Sequence, residues 1–212
     1  TSYSYARWYV LSVLLIALTG GIGSGKSTAS GLLVERGAVL IDADGVNREL
    51  QAAGGKAFQA MVDMFGPSVV GANGELDRPA IAAIVFNDEE ARRKLNALMH
   101  PMIGLEILER IQANAETDNV VVLDIPLLGM SGNTYETAGL VVVDCPVEVA
   151  VDRLVTGPRA MDRADATARI AAQISREERL ALADFVIDNS GTPDDLSLAV
   201  DECWAWIAAL RR

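Results

Sequence analysis

The run Gly20-Gly21-Ile22-Gly23-Ser24-Gly25-Lys26-Ser27-Thr28 constrains this chain more than any other stretch. It fits the spacing G-x-x-x-x-G-K-[ST], with Gly20, Gly25, Lys26 and Ser27 at the fixed positions. An apolar run over 13–18 precedes it and a helix is expected over 27–36, so the motif stands in the strand, loop, helix context that it requires. Glycine in such a loop permits positive φ and lets backbone N–H groups approach phosphate oxygens with no Cβ in the way. The helix start adds its free N–H groups and the positive end of its dipole. Lys26 is therefore expected to reach the β- and γ-phosphates of a nucleotide as a point charge, and the Ser27 hydroxyl to help hold Mg²⁺. A ligand-free glycine turn would leave four matched positions in the right context as coincidence. The motif leaves the acceptor open.

At 212 residues, half of them apolar and 22% charged, the chain has a globular profile and enough length for a substantial core. A formal net charge of -11 argues against a nucleic-acid or anionic-membrane surface, because both need a basic patch. An anionic nucleotide can still bind through local donors. The two cysteines, Cys145 and Cys203, have no metal-ligand spacing and read as reduced thiols of a cytoplasmic protein. Arg7 followed by the apolar residues 8–18 has the look of a signal peptide, but cleavage there would remove the first strand. The run is also shorter than the roughly 20 residues that span a bilayer. Residues 1–9 read as an extension without a structural task.

Beyond the loop helix, Gly37 stands where a helix ends, and 38–41 forms a second apolar strand that delivers Asp42-Ala43-Asp44 at its carboxyl end. Ligands of open α/β sheets bind beyond those ends, so the two carboxylates face the phosphate region. The alternative for Asp44 is the N-cap of a helix running from Val46 to Ala53, a use that does not exclude catalysis. From there to Thr117 the pattern is helical, with candidates at 56–65, 78–86 and 88–99, a turn at 71–74, and a break at His100-Pro101 before the helix resumes at Met102. His100, the single histidine, reads from the sequence as a residue at a helix junction. The runs 120–124, 140–144 and 185–188 are further strands without polar alternation, which suits a parallel sheet covered on both faces. Asp124 ends the third of the five strands, where an aspartate can hold the water shell of a nucleotide-bound Mg²⁺. The helical segments 162–173 and 176–183, with Arg153, Arg159, Arg163 and Arg169 in or before them, suit a lid over a phosphate site. Any one of these arginines could instead belong to a solvated face. The expected architecture is thus α/β: a five-stranded parallel sheet of the P-loop NTPase type flanked by helices, with a helical substrate-binding insertion and a helical lid. The expected divisions are a core (10–45, 118–150 and 184–212), the insertion (46–117) and the lid (151–183).

This layout resembles the small-molecule kinases of the P-loop class, and most closely the dephospho-CoA kinase family. The motifs that carry the resemblance are Leu18-Thr19-Gly20-Gly21-Ile22-Gly23-Ser24-Gly25-Lys26-Ser27-Thr28, Ile41-Asp42-Ala43-Asp44, Leu76-Asp77-Arg78, Leu98-Met99-His100-Pro101, Asp124-Ile125-Pro126-Leu127-Leu128, Arg169-Ile170-Ala171-Ala172-Gln173, and Val186-Ile187-Asp188-Asn189-Ser190-Gly191. Their order and spacing run from about Val13 to Leu210. The resemblance implies transfer of the ATP γ-phosphoryl group to the ribose 3′-hydroxyl of dephospho-CoA, the final step of coenzyme A synthesis, by a monomer or small homo-oligomer. It implies Asp44, Lys26 and Arg159 as catalytic residues and Gly20, Gly21, Gly23, Ser24, Gly25, Lys26, Ser27, Thr28 and Asn189 as ATP contacts. Asp42, Arg78 and His100 would contact the acceptor, and Ser27 and Asp124 would serve Mg²⁺. The chain departs from the family at Gly129-Met130, where a glutamate is usual, and around Arg159, which follows Gly157-Pro158 and precedes Ala160-Met161. Another P-loop kinase is the rival enzyme reading. A nucleotide-dependent switch is the rival of another class, although the Asn-Lys-x-Asp guanine-reading motif of a GTPase is absent.

Overall fold

A computed structural model describes residues 13–125, 135–158 and 160–211. Its centre is β1 (Leu14–Gly20), with six of seven residues buried. On one side it pairs with β3 (Val120–Asp124) and on the other with β4 (Gly139–Asp144). With β2 (Ala38–Asp42) and β5 (Phe185–Asp188) at the edges, the order is β2-β3-β1-β4-β5 and every pairing is parallel. The period of two along each strand divides the apolar residues between two cores. Leu15, Ile41, Val121 and Leu123 face one core; Ile16, Leu18, Val122, Val143 and Ile187 face the other. Burying one such side chain stabilises by about 1.5–3 kcal/mol, so register slippage that turned a strand over would exchange both cores at once.

The second core is closed by α1 (Lys26–Glu35) and α9 (Pro193–Ala209), which contribute Ala29, Leu33, Leu196, Val200, Cys203 and Ile207. The first core is closed by the helical stretch between β2 and β3. It consists of α2 (Ala43–Gln51), α3 (Phe58–Phe65), α4 (Arg78–Asn87) and α5 (Glu89–Gln112), with a 3₁₀ turn at Pro67–Val69. The turn expected at 71–74 is present: Gly71 N–H donates to the Glu75 carbonyl at 2.8 Å, and Val70 bridges Leu76 antiparallel. After β4 come α6 (Val147–Thr156), α7 (Arg163–Ala171) and α8 (Arg176–Ala181).

Two expectations are corrected. The helix expected to break at His100-Pro101 is one continuous α5 of 24 residues with Pro101 inside it. A proline within a helix costs about 3 kcal/mol relative to alanine. Met99 on one side of it and Ile107 and Ile111 on the other are buried in the first core, and that packing outweighs the local penalty. The helix after β2 begins at Ala43 rather than Val46, because Asp42 and not Asp44 is its N-cap, accepting the Asp44 N–H at 3.0 Å. Among the described residues no helix is long and apolar enough to cross a membrane.

Candidate active site

The loop between β1 and α1 is shaped by its glycines. Ser24 N–H donates to Gly21 C=O at 3.0 Å, which turns the chain, and Gly23 (φ 79°) and Gly25 (φ 85°) lie in the left-handed region. Gly25 is the N-cap of α1 and supplies no side-chain cap, and no acid lies in the first turn. The first N–H groups of the helix therefore meet no side chain of their own, as an anion site at a helix start requires. Ser27 and Thr28 are exposed at this end, while Ser24 is buried with its hydroxyl unpaired among the described residues.

The Lys26 ammonium reaches across to β3 and forms an ion pair with the Asp124 carboxylate. Asp124 is 5% exposed. Its pKa lies above the ordinary carboxylate range: burial raises it most, Lys26 opposes that, and the charges of Asp42 and Asp44 raise it further. The three aspartates thus share one electrostatic neighbourhood at the carboxyl end of the sheet, since Asp42 is also the cross-strand partner of Asp124. Their roles separate by hydrogen bonding. Asp42 is engaged twice, by the Asp44 N–H and by the Arg48 guanidinium at 2.9 Å. Asp44 is exposed in the first turn of α2, and its carboxylate has no hydrogen-bond or ion-pair partner among the described residues. Arg78 Nη2 lies 3.5 Å from the Arg48 carbonyl, which places Arg78 beside the same patch. His100 is exposed on α5, and no hydrogen bond or ion pair among the described residues joins it to the loop. Arg159, Gly129 and Met130 lie outside the described residues.

Asn189, following β5, is 6% exposed and packs behind the loop. Its Nδ2 donates to the Ser24 carbonyl at 2.7 Å, and Arg153 Nη2 donates to the Asn189 carbonyl at 2.9 Å. Arg153, expected in the lid set, thus braces the loop from α6. Arg163 pairs with Asp152 and Glu148 on the surface, and Arg169 is exposed without a partner among the described residues.

Sequence reasoning assigned no role to three residues that the fold brings to the loop's other flank. Arg176 forks onto Asp144 at the end of β4, with Nε 3.0 and 2.9 Å from the two carboxylate oxygens and Nη2 2.6 Å from Oδ2. Arg179 is 9% exposed, packs its guanidinium against Gly21, and donates to the Ile174 carbonyl at 2.9 Å; burial lowers its pKa. Gln173 accepts the Ile22 N–H. With Gly21, Ile22 and Cys145 these side chains line a cavity of about 280 Å³. Asp144 was legible as a strand-ending carboxylate like Asp124, but its arginine lies 32 residues on and no local spacing marks the pair.

A parallel sheet whose central strand ends in a glycine loop and an uncapped helix start, with a lysine held at a neighbouring strand-ending aspartate, defines a protein of the P-loop nucleotide-binding class. Within that class the chain belongs to the dephospho-CoA kinase family, whose model matches residues 14–195. A dephospho-CoA kinase of Streptomyces avermitilis is 46% identical over 193 residues, which cover 91% of this chain and 93% of that protein. Two solved structures share the fold over 92% of this chain. They are TT1252 from Thermus thermophilus, with TM-score 0.75, 32% identity and 97% of its own chain covered, and the dephospho-CoA kinase from Campylobacter jejuni, with TM-score 0.65, 26% identity and 98% covered.

Proposed function

We propose that this protein transfers the γ-phosphoryl group of ATP to the ribose 3′-hydroxyl of dephospho-CoA. Phosphoryl transfer asks a protein mainly for positioning and for stabilisation of charge on the transferring oxygens. The backbone from Gly23 to Lys26 and the start of α1 supply fixed N–H donors for the ATP phosphates. Lys26, paired with Asp124 when the loop is free, exchanges that partner for phosphate oxygens. Asp124 and the Ser27 hydroxyl would then be the residues that hold Mg²⁺. One carboxylate and one hydroxyl suit a cation that keeps water and phosphate oxygens as its other ligands. When bound with ATP, Mg²⁺ supplies neutralisation of the phosphate charge.

The observation that carries the acceptor side is the Asp44 carboxylate, exposed, without a partner among the described residues and close enough for its charge to act on Asp124, while Asp42 is occupied by its cap and by Arg48. Asp44 orients the acceptor hydroxyl and takes its proton, a role worth about 10²- to 10⁴-fold in rate. Residues 46–117 hold the acceptor nucleotide and its pantetheine arm, with Arg78 and His100 as contacts. Residues 151–183 act as the lid, and Arg159 is its catalytic cation. The two buried free thiols, Cys145 and Cys203, support a cytoplasmic setting.

The reading is tested by ADP release with dephospho-CoA, shikimate, a nucleoside monophosphate or no acceptor. Release that depends on dephospho-CoA alone is expected. Equal release with the other acceptors would assign a different kinase, and ATP binding with no acceptor-dependent release would favour the switch.

A further inference from the structure

Gln173 lies in the turn between α7 and α8, where the sequence marks no chemistry beyond a shared motif. It is half-buried, and its Oε1 accepts the Ile22 N–H at 3.0 Å across 151 residues of chain. Ile22 immediately precedes Gly23, the first left-handed position of the phosphate loop. Because a backbone N–H must meet the carbonyl end of the side-chain amide, the orientation of that amide is dictated, and Nε2 is left without a partner among the described residues.

The turn is itself held firmly. Gln173 N–H donates to the Ile170 carbonyl at 3.1 Å, and Arg179 holds the Ile174 carbonyl. Ser175 and Glu178 form a reciprocal cap at the start of α8, and Arg176 ties the same helix to Asp144 at the carboxyl end of β4. Among the described residues from 163 to 183, Gln173 is the one side chain that hydrogen-bonds the loop backbone. A firm anchor on one side and a single bond to a glycine-rich loop on the other is the arrangement by which one segment sets the conformation of another.

We propose that Gln173 is a positioning residue for phosphoryl transfer, which fixes the opening peptide of the phosphate loop from the α7–α8 turn. By taking up the Ile22 N–H it removes that donor from competition for phosphate oxygens and leaves the N–H groups from Gly23 to Lys26 to converge on them. It also couples the docking of the α7–α8 segment to the geometry of the donor site. The inference rests on the kinase reading above.

The test compares Gln173→Met, which keeps length and shape but has no acceptor for the Ile22 N–H, with Gln173→Glu, which keeps one. Amide hydrogen exchange at Ile22 in the nucleotide-free protein, kcat, KM for dephospho-CoA and the melting midpoint are measured for each. Loss of one partly buried hydrogen bond predicts roughly tenfold faster Ile22 exchange in Gln173→Met and a kcat roughly tenfold lower. KM for dephospho-CoA is expected to change less than about twofold, and β1 exchange to be unchanged. Gln173→Glu is expected to restore Ile22 protection and part of the kcat. Unchanged kcat in Gln173→Met, a loss of rate with Ile22 exchange unaltered, or a loss matched by faster exchange throughout β1 would each overturn the proposal. So would a Gln173→Glu variant that leaves Ile22 unprotected. Failure of the wild-type protein to phosphorylate dephospho-CoA would strike the parent reading instead, while Ile22 exchange still reports on the bond.

Discussion

Substituting Gly25→Ala measures how tightly the phosphate loop is specified. Gly25 has φ 85°, and a Cβ built there overlaps the Asn189 Nδ2 atom. The left-handed conformation costs a residue with a side chain roughly 1–2 kcal/mol. Relief of the overlap displaces the Asn189 amide, which donates to the Ser24 carbonyl at 2.7 Å from a buried position. An unmade buried hydrogen bond costs about 1–3 kcal/mol. The combined effect is about 2–5 kcal/mol, or from about thirtyfold to several thousandfold if it appears in kcat/KM for ATP. Gly31 in the middle of α1 is the internal control, because outside the helix's own backbone no atom of the described residues lies within 4 Å of a Cβ there. Gly31→Ala should stabilise the protein by about 0.5–1 kcal/mol with activity intact. Steady-state kinetics with ATP varied, together with thermal unfolding, distinguishes the two. A Gly25→Ala protein with kcat/KM within about threefold of wild type would refute the reasoning, because that loss corresponds to less than 1 kcal/mol.

Asp44→Asn should lower kcat by about 10²-fold or more while ATP binding, read by calorimetry, changes little; an unaltered kcat would reduce Asp44 to a first-turn acid of α2. Asp124→Asn should abolish most turnover yet raise the melting midpoint at neutral pH. The native pKa of Asp124 is raised chiefly by burial, so the folded protein holds that proton to higher pH than the unfolded chain. Its contribution is therefore most favourable below the ordinary carboxylate range and is lost as pH rises through the raised value. Unfolding midpoints across that window should decline more in wild type than in the variant, and identical profiles would contradict the assignment. Pro101→Ala should stabilise by roughly 1–3 kcal/mol by restoring a helical N–H within α5. A lower midpoint would show that the proline contributes packing of its own.

The sheet was legible because each strand is a short apolar run with no polar alternation, the pattern of strands covered on both faces. The loop was legible because its chemistry is local, with glycine, lysine and serine acting within nine residues. What escaped was set by partners distant in sequence. Asp42 and Asp44 present the same local choice between capping and catalysis, and the cap falls to Asp42, where Arg48 also binds. Pro101 signals a break by its local preference, and the buried Met99, Ile107 and Ile111 override it. Arg153 looked like a lid cation, but its partners are Asn189 and Ser24, 36 and 129 residues away. Gln173, Arg176 and Arg179 gain their places only when the α7–α8 turn folds back onto β4 and the loop.

The central claim is the transfer of phosphate from ATP to one hydroxyl of one acceptor. It is tested most directly by incubating the purified protein with ATP, Mg²⁺ and dephospho-CoA, and quantifying ADP and the phosphorylated acceptor in the same samples, with the site of phosphorylation read by phosphorus NMR. Equal amounts of ADP and 3′-phosphorylated product, with neither formed by Lys26→Ala, are predicted. ADP without the 3′-phosphorylated product, or phosphate at another position, would contradict the account.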